Sequence, residues 1–296
     1  MIAPPLTDQD IRPYWQQLGL PGLADIHTHF LPPSMQTKVW AYFDRAQDHY
    51  GRPWPIHYRF DQAKRLEILR EFGLRAIPAL SYPHKPEMAQ WLNGWSRDLA
   101  RSEPDVLHCA TLYPEEGVGD YVAAEISAGA QLFKMHVQVG VFTPADPLLD
   151  PAWAALQEAG VPVVIHAGSA PIAGEFTGPS DVRAVLLRYP LLSLVIAHLG
   201  MNEYDAFADI AEEFVNVHLD TTMIGTDFTN EFAPLSESYI ARLAGLKDKI
   251  ILGTDFPQIP YPYAHQIEAL HRLGHGDDWM SSVLWRNGAR LLSLEI

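Results

Sequence analysis

The sequence predicts an α/β chain of the (β/α)8 TIM-barrel class, distorted by an aromatic-rich excursion after the first strand and completed by C-terminal helices. Three observations carry the prediction. Apolar runs that read as strands alternate with amphipathic helical segments, the pattern of a parallel sheet with right-handed crossovers. Eight such units fit in the 296 residues, and eight close a barrel. Four of the strand runs also end in His or Asp followed by turn residues, at the carboxyl edge where such folds place their chemistry. The chain is read as a single domain over residues 1–296.

Taken in order, residues 7–18 form a short helix capped by Thr7 or Asp8, leading through Gly19 and Pro21-Gly22 into the first strand at 23–29. Residues 31–60 break the rhythm with Trp40, Tyr42, Phe43, Tyr50, Trp54 and Tyr58 among prolines. A long excursion after a ligand-bearing strand is expected to be a lid over a site or an interface insertion. Asp61 then caps a helix with apolar positions at Leu66, Leu69 and Phe72 that stops at Gly73, and 74–80 is strand two. Helices over 86–102 and 115–128 precede strands at 106–112 and 131–136. Asp150 and Pro151 read as N-cap and first helical residue of a helix ending at Gly160, before strand five at 161–166. Helices at 179–189, 203–214 and 236–247 alternate with strands at 192–198, 215–220 and 249–255. Two helices over 262–293 finish the outer ring.

Composition narrows the function classes. A net charge of −15 disfavours nucleic acid and anionic membrane surfaces, which need clustered Lys and Arg. No apolar stretch approaches the roughly 18 residues of a membrane span, and the amino terminus does not resemble a secretory signal. A cytoplasmic enzyme acting on a small molecule is the expectation. The single cysteine, Cys109, lies in an apolar run and is expected to pack in the core.

The chemistry begins with Leu23-Ala24-Asp25-Ile26-His27-Thr28-His29. On a strand, the i, i+2 spacing puts both imidazoles on one face, where they make half of a zinc-type site. Val163-Val164-Ile165-His166, Leu194-Val195-Ile196-Ala197-His198 and Ile250-Ile251-Leu252-Gly253-Thr254-Asp255 deliver further ligand-type groups at the same rim. Lys134 and His136 share a strand face, and His84, just past strand two, is a candidate substrate contact. Asp25 is read as an orienting or barrel-floor carboxylate, and Asp220 and Thr222 as pocket lining that no chemistry singles out. His108 and His218 are expected to be hydrogen-bonded core residues, and His265, His271 and His275 to be solvated.

In this order, Asp25-Ile26-His27-Thr28-His29, His166, His198 and Gly253-Thr254-Asp255-Phe256-Pro257 resemble the amidohydrolase superfamily. The resemblance is closest to its amidohydrolase-2 branch, with the aminocarboxymuconate semialdehyde decarboxylase-like enzymes, and it runs from Asp25 to about Asn287. It implies one divalent metal, usually zinc, held by His27, His29, His166 and Asp255. His198 or Asp255 then moves the proton of an activated water. A cation held this way lowers the pKa of bound water toward about 7. Binuclear members of the superfamily carboxylate a lysine matching Lys134 to bridge two metals. The mononuclear branch can carry an unmodified lysine there as a cation toward substrate, which implies substrate contacts by Lys134 and by His136 on the same face, and one metal is the favoured count. The branch also implies a homodimer.

Two activities follow: hydrolysis of a C–O or C–N bond by metal-activated water, or nonoxidative decarboxylation of an unsaturated or aromatic acid at the same site. Decarboxylation needs a cation for the substrate carboxylate, and the strand ends offer Lys134 but no arginine; Arg59 and Arg183 are the nearest exceptions. The shortage favours hydrolysis. A noncatalytic ligand-binding barrel is disfavoured because a structural metal site would not keep a spare base such as His198.

Overall fold

Short, largely apolar runs decide where the strands form. They are β1 (Ile77–Pro78), β2 (Val106–Leu107), β3 (Cys109–Thr111), β4 (Leu132–His136), β5 (Val163–His166), β6 (Leu194–Ile196), β7 (Val217–Asp220) and β8 (Ile250–Ile251) in a computed structural model describing residues 2–294. The chain folds as two compact units. One comprises the residues up to Ile77 together with those from Asp220 onward, the other Pro78–Leu219. Among the described residues, no helix is long and apolar enough to cross a membrane.

In the second unit β3 to β7 pair successively, and every pairing is parallel. Their side chains are almost all buried, as expected of a sheet covered on both faces. Helices lie over Ala89–Ser102, Val118–Ser127, Asp150–Ala159 and Pro179–Arg188, within a few residues of their predicted bounds. Asp150 corrects a detail. It stands inside its helix, because a preceding 3-10 turn capped by Asp146 has already started the winding. The strand predicted over 106–112 is split at His108, whose ring pairs with Glu125 at 3.0 Å. Cys109 is buried and its thiol is pushed up to about 12 by burial, in keeping with a packing role.

The first unit holds the run predicted as strand one. It is extended but joins no regular ladder; isolated bridges link Leu23 to Leu74 and Thr28 to Phe256. The reason lies in its neighbour. Regular pairing on β8 stops at Ile251, and Asp255 takes a left-handed conformation, φ +70°, that turns the chain away. The run is held by separate bonds, Ile26 N–H to the Leu252 carbonyl at 2.9 Å and His29 N–H to that of Phe256 at 2.7 Å.

The helix Gln62–Phe72 begins where Asp61 accepts the Lys64 N–H at 2.8 Å and ends at Gly73, φ +95°. A Cβ on Gly73 would lie 2.7 Å from the Trp15 ring, so glycine is required there by conformation and by space. The excursion forms helices Pro33–Phe43 and Ala46–Tyr50, beyond which Trp54 and Tyr58 are buried, while Tyr42 is exposed. The His265, His271 and His275 expectation is also corrected, since all three are half-buried. His265 pairs with Glu268 at 3.0 Å, His271 donates to the Ile2 carbonyl at 2.9 Å, and His275 packs on Trp279.

Candidate metal centre

His27, His29 and Asp255 converge in the first unit, their ligand atoms all within 4.8 Å of one another. The i, i+2 spacing does what an extended backbone dictates and puts both rings on one side, 5.0 Å apart and edge to face. Asp255 is brought to them by backbone, its N–H bonded to the His27 carbonyl at 2.9 Å. Its Oδ1 stands 2.9 Å from His29 Nε2 and 3.5 Å from His27 Nε2. The left-handed backbone at Asp255 is a strained choice for a residue with a Cβ, and it stands at the ligand that faces both imidazoles.

His27 is clamped from behind. Its Nδ1 donates to Asp220 Oδ2 at 2.8 Å, with the Thr222 hydroxyl 3.0 Å away, while Asp220 Oδ1 accepts the Thr222 N–H at 3.0 Å. With the proton on Nδ1, the lone pair is on Nε2, the nitrogen that faces Asp255. Gly253 makes the close approach possible, since a Cβ there would come within 2.5 Å of Thr222 Oγ1 and 2.9 Å of Asp220 Cγ. Asp220 and Thr222 thus hold the His27 ring, a contact that sequence reasoning missed. The available signal was that strand seven, like the others, ends in a ligand-type residue.

Asp25 sits beneath the same run. Its Oδ1 accepts the His27 N–H at 3.0 Å, and its Oδ2 accepts from Thr254 Oγ1 at 2.6 Å and the Tyr263 hydroxyl at 2.9 Å. Burial pushes its pKa up to about 7 against those three bonds, with the nearby Asp220 charge adding a little. Asp25 orients the His27 backbone, as expected of a carboxylate behind a ligand.

The remaining candidates lie in the second unit. His136 and His166 are partners in the β4–β5 register, and their rings stack at 4.0 Å. His166 also meets the His198 ring edge to face at 4.8 Å, and its Nε2 donates to the Ala170 carbonyl at 3.3 Å. His198 follows β6 directly on a left-handed backbone, φ +56°. Lys134 is fully buried on β4, and Tyr82 packs on His136. His84 is exposed in the bend after β1. The structure therefore gathers His27, His29 and Asp255 in one unit, and His136, His166 and His198 in the other.

A family model described as amidohydrolase, of the amidohydrolase-2 type, matches residues 24–294. The chain belongs to the amidohydrolase family. Solved structures resemble this amidohydrolase along nearly its whole length. An uncharacterised TIM-barrel protein of Bordetella bronchiseptica is 19% identical with a TM-score of 0.70, covering 91% of this chain and 98% of its own. A 5-carboxyvanillate decarboxylase of Novosphingobium aromaticivorans, complexed with manganese, is 14% identical with a TM-score of 0.60 and covers 93% and 97%. A probable 2-pyrone-4,6-dicarboxylic acid hydrolase of Acinetobacter baumannii is 14% identical, with a TM-score of 0.58 and 92% and 100% covered. These likenesses show the TIM-barrel fold for the amidohydrolase described here. No curated protein sequence matches the chain.

Proposed function

We propose that the protein is a metal-dependent hydrolase that cleaves a C–O or C–N bond of a small molecule. The observation that carries this reading is the convergence of His27, His29 and Asp255, with the His27 tautomer fixed by Asp220. The donor set fits a divalent cation: two imidazoles and one carboxylate, with the short His29–Asp255 contact standing where a shared positive charge is favourable. His166 is assigned as a further ligand and His198 as an acid–base group from the family resemblance. A bound metal, zinc or manganese, would supply Lewis acidity toward a carbonyl and acidify a water. The chain's own task is then proton movement: Asp255 or His198 accepts the proton of the attacking water, and the same residue returns it to the leaving oxygen or nitrogen.

Nonoxidative decarboxylation is the second reading, and a decarboxylase among the similar structures favours it. Against it, Arg59 is engaged with Asp44 and Arg183 with Glu213, both pairs on the surface. Arg65 is buried under Phe30 and Trp40, with a guanidinium nitrogen bonded to Gln36 at 2.8 Å. Metal content of the purified protein, followed by assay of lactones, amides and aromatic acids, tests the reading. One equivalent of metal and chelator-sensitive hydrolysis are expected, both lost in Asp255→Asn. Carbon dioxide release from the acids without hydrolysis would move the assignment to the second reading, and no metal after reconstitution would overturn both.

A further inference from the structure

The chain forms no helix or strand between His166, the last residue of β5, and Pro179, yet the first turn of this loop is firmly held. Both donors of Ser169 go to one carboxylate, the hydroxyl to Glu203 Oε1 at 2.5 Å and the N–H to Glu203 Oε2 at 3.0 Å. Next to it, the Ala170 N–H bonds to the Met201 carbonyl at 2.8 Å. Gly168 lets the two segments meet, since a Cβ there would lie 2.2 Å from that same carbonyl oxygen. The Met201 N–H in turn bonds to the His198 carbonyl at 3.0 Å, so the segment gripped by the loop is the one that presents His198.

Glu203 stands at the N-cap of the helix Tyr204–Glu213 and makes no capping bond there; both its oxygens reach across to the β5 loop instead. Bonds to an ionised carboxylate are roughly twice as strong as neutral ones, which suits them to fixing a segment that no ladder supports. The consequence reaches His166, whose Nε2 lies 3.3 Å from the Ala170 carbonyl. A carbonyl only accepts, so the proton of the neutral ring is on Nε2 and the lone pair on Nδ1, the reverse of His27. That bond is long, and it persists only while the Ala170 carbonyl is kept in place. We propose that Glu203 is a positioning residue: by clamping the β5 loop to the turn that bears His198, it holds the Ala170 carbonyl against His166 and fixes Nδ1 as the nitrogen which that ring offers to a metal. This rests on the assignment of His166 as a ligand.

The test reads the ring first and the metal second. In metal-free protein carrying isotope-labelled histidine, nitrogen–proton correlation spectra in mildly alkaline buffer distinguish the two tautomers, and His166→Ala identifies the His166 signals. The wild type is expected to show the Nε2–H form. Glu203→Ala should give a mixture of tautomers and bind cobalt(II) about tenfold more weakly in chelator competition. Glu203→Gln, whose amide can accept the Ser169 N–H and donate to Ser169 Oγ, should restore both readings. Ser169→Ala removes one of the two bonds and is expected to fall between; it carries the test if Glu203→Ala does not fold. A single Nε2–H tautomer and full cobalt affinity in these folded variants, beside a weakened His166→Ala, overturn the proposal alone. Should His166→Ala bind cobalt as tightly as the wild type, the ligand assignment falls and takes the proposal with it.

Discussion

One hydrogen bond settles which nitrogen His27 offers. Because Asp220 Oδ2 takes the Nδ1 proton at 2.8 Å, Nε2 is left basic. In Asp220→Asn the amide oxygen keeps the Thr222 N–H and the amide nitrogen turns its protons toward His27, so the imidazole flips tautomer and Nε2 carries hydrogen. Metal affinity should drop by about 10–100-fold with the fold retained, read by chelator competition; unchanged affinity would remove Asp220 from the centre. His108 carries a pH dependence away from the site. Burial, with a smaller contribution from Arg97, holds its pKa below the usual 6.5 despite the attraction of Glu125. The unfolded chain therefore binds the proton more readily, and this contribution to stability is present above about 6.5 and lost as pH falls through the lower folded value. Urea midpoints should decline between pH 7.5 and 5.5, and His108→Gln, which keeps a donor toward Glu125, should flatten that decline. A parallel decline in the variant would assign the effect elsewhere.

Elements show which parts of the sequence could be read directly. The helix Gln62–Phe72 was marked at both ends, by Asp61 and by Gly73, and each signal acts within one turn of the chain. Strand one was legible as an extended apolar run but not as a chain segment outside any ladder, because that depends on the left-handed turn at Asp255. The excursion resisted reading for a related reason: its order comes from partners distant in sequence. Tyr58 shows this best. Its hydroxyl donates to Asp8 and accepts the Tyr263 N–H at 2.6 Å, while its ring lies 4.7 Å from that of Phe256. The excursion is thereby fastened to the segment that carries Asp255. Tyr58→Phe leaves a buried N–H unpaired and should cost about 1–3 kcal/mol in chemical denaturation. A loss below roughly 0.5 kcal/mol would show that water replaces the hydroxyl without penalty.

At the scale of the whole molecule, the residues that converge as His27, His29 and Asp255 were legible and the contacts that support them were not. His-x-His and a strand-end Asp are local patterns, whereas the Asp220–His27 bond joins residues 193 positions apart and leaves no mark in either segment. The same separation gives a ligand leverage over folding. An ion present at about 100 times its dissociation constant for the folded chain adds about 2.7 kcal/mol, which for a chain of this size is a rise in Tm of roughly 4 °C. Calorimetry before and after chelation should show that shift in the wild type and not in Asp255→Asn. An equal shift in both would place the binding elsewhere.

The distance along the chain between His29 and Asp255, 226 residues, also sets an order of events during synthesis. A ribosome adding about 5–20 residues each second needs roughly 10–45 s to pass from one to the other. Throughout that interval the nascent chain displays a pair of imidazoles without the carboxylate that completes the set. Any ion captured early is held by histidines alone and exchanges readily, so the choice of metal is made after the Asp255 segment emerges, when the ions then present in the surroundings compete for the finished site.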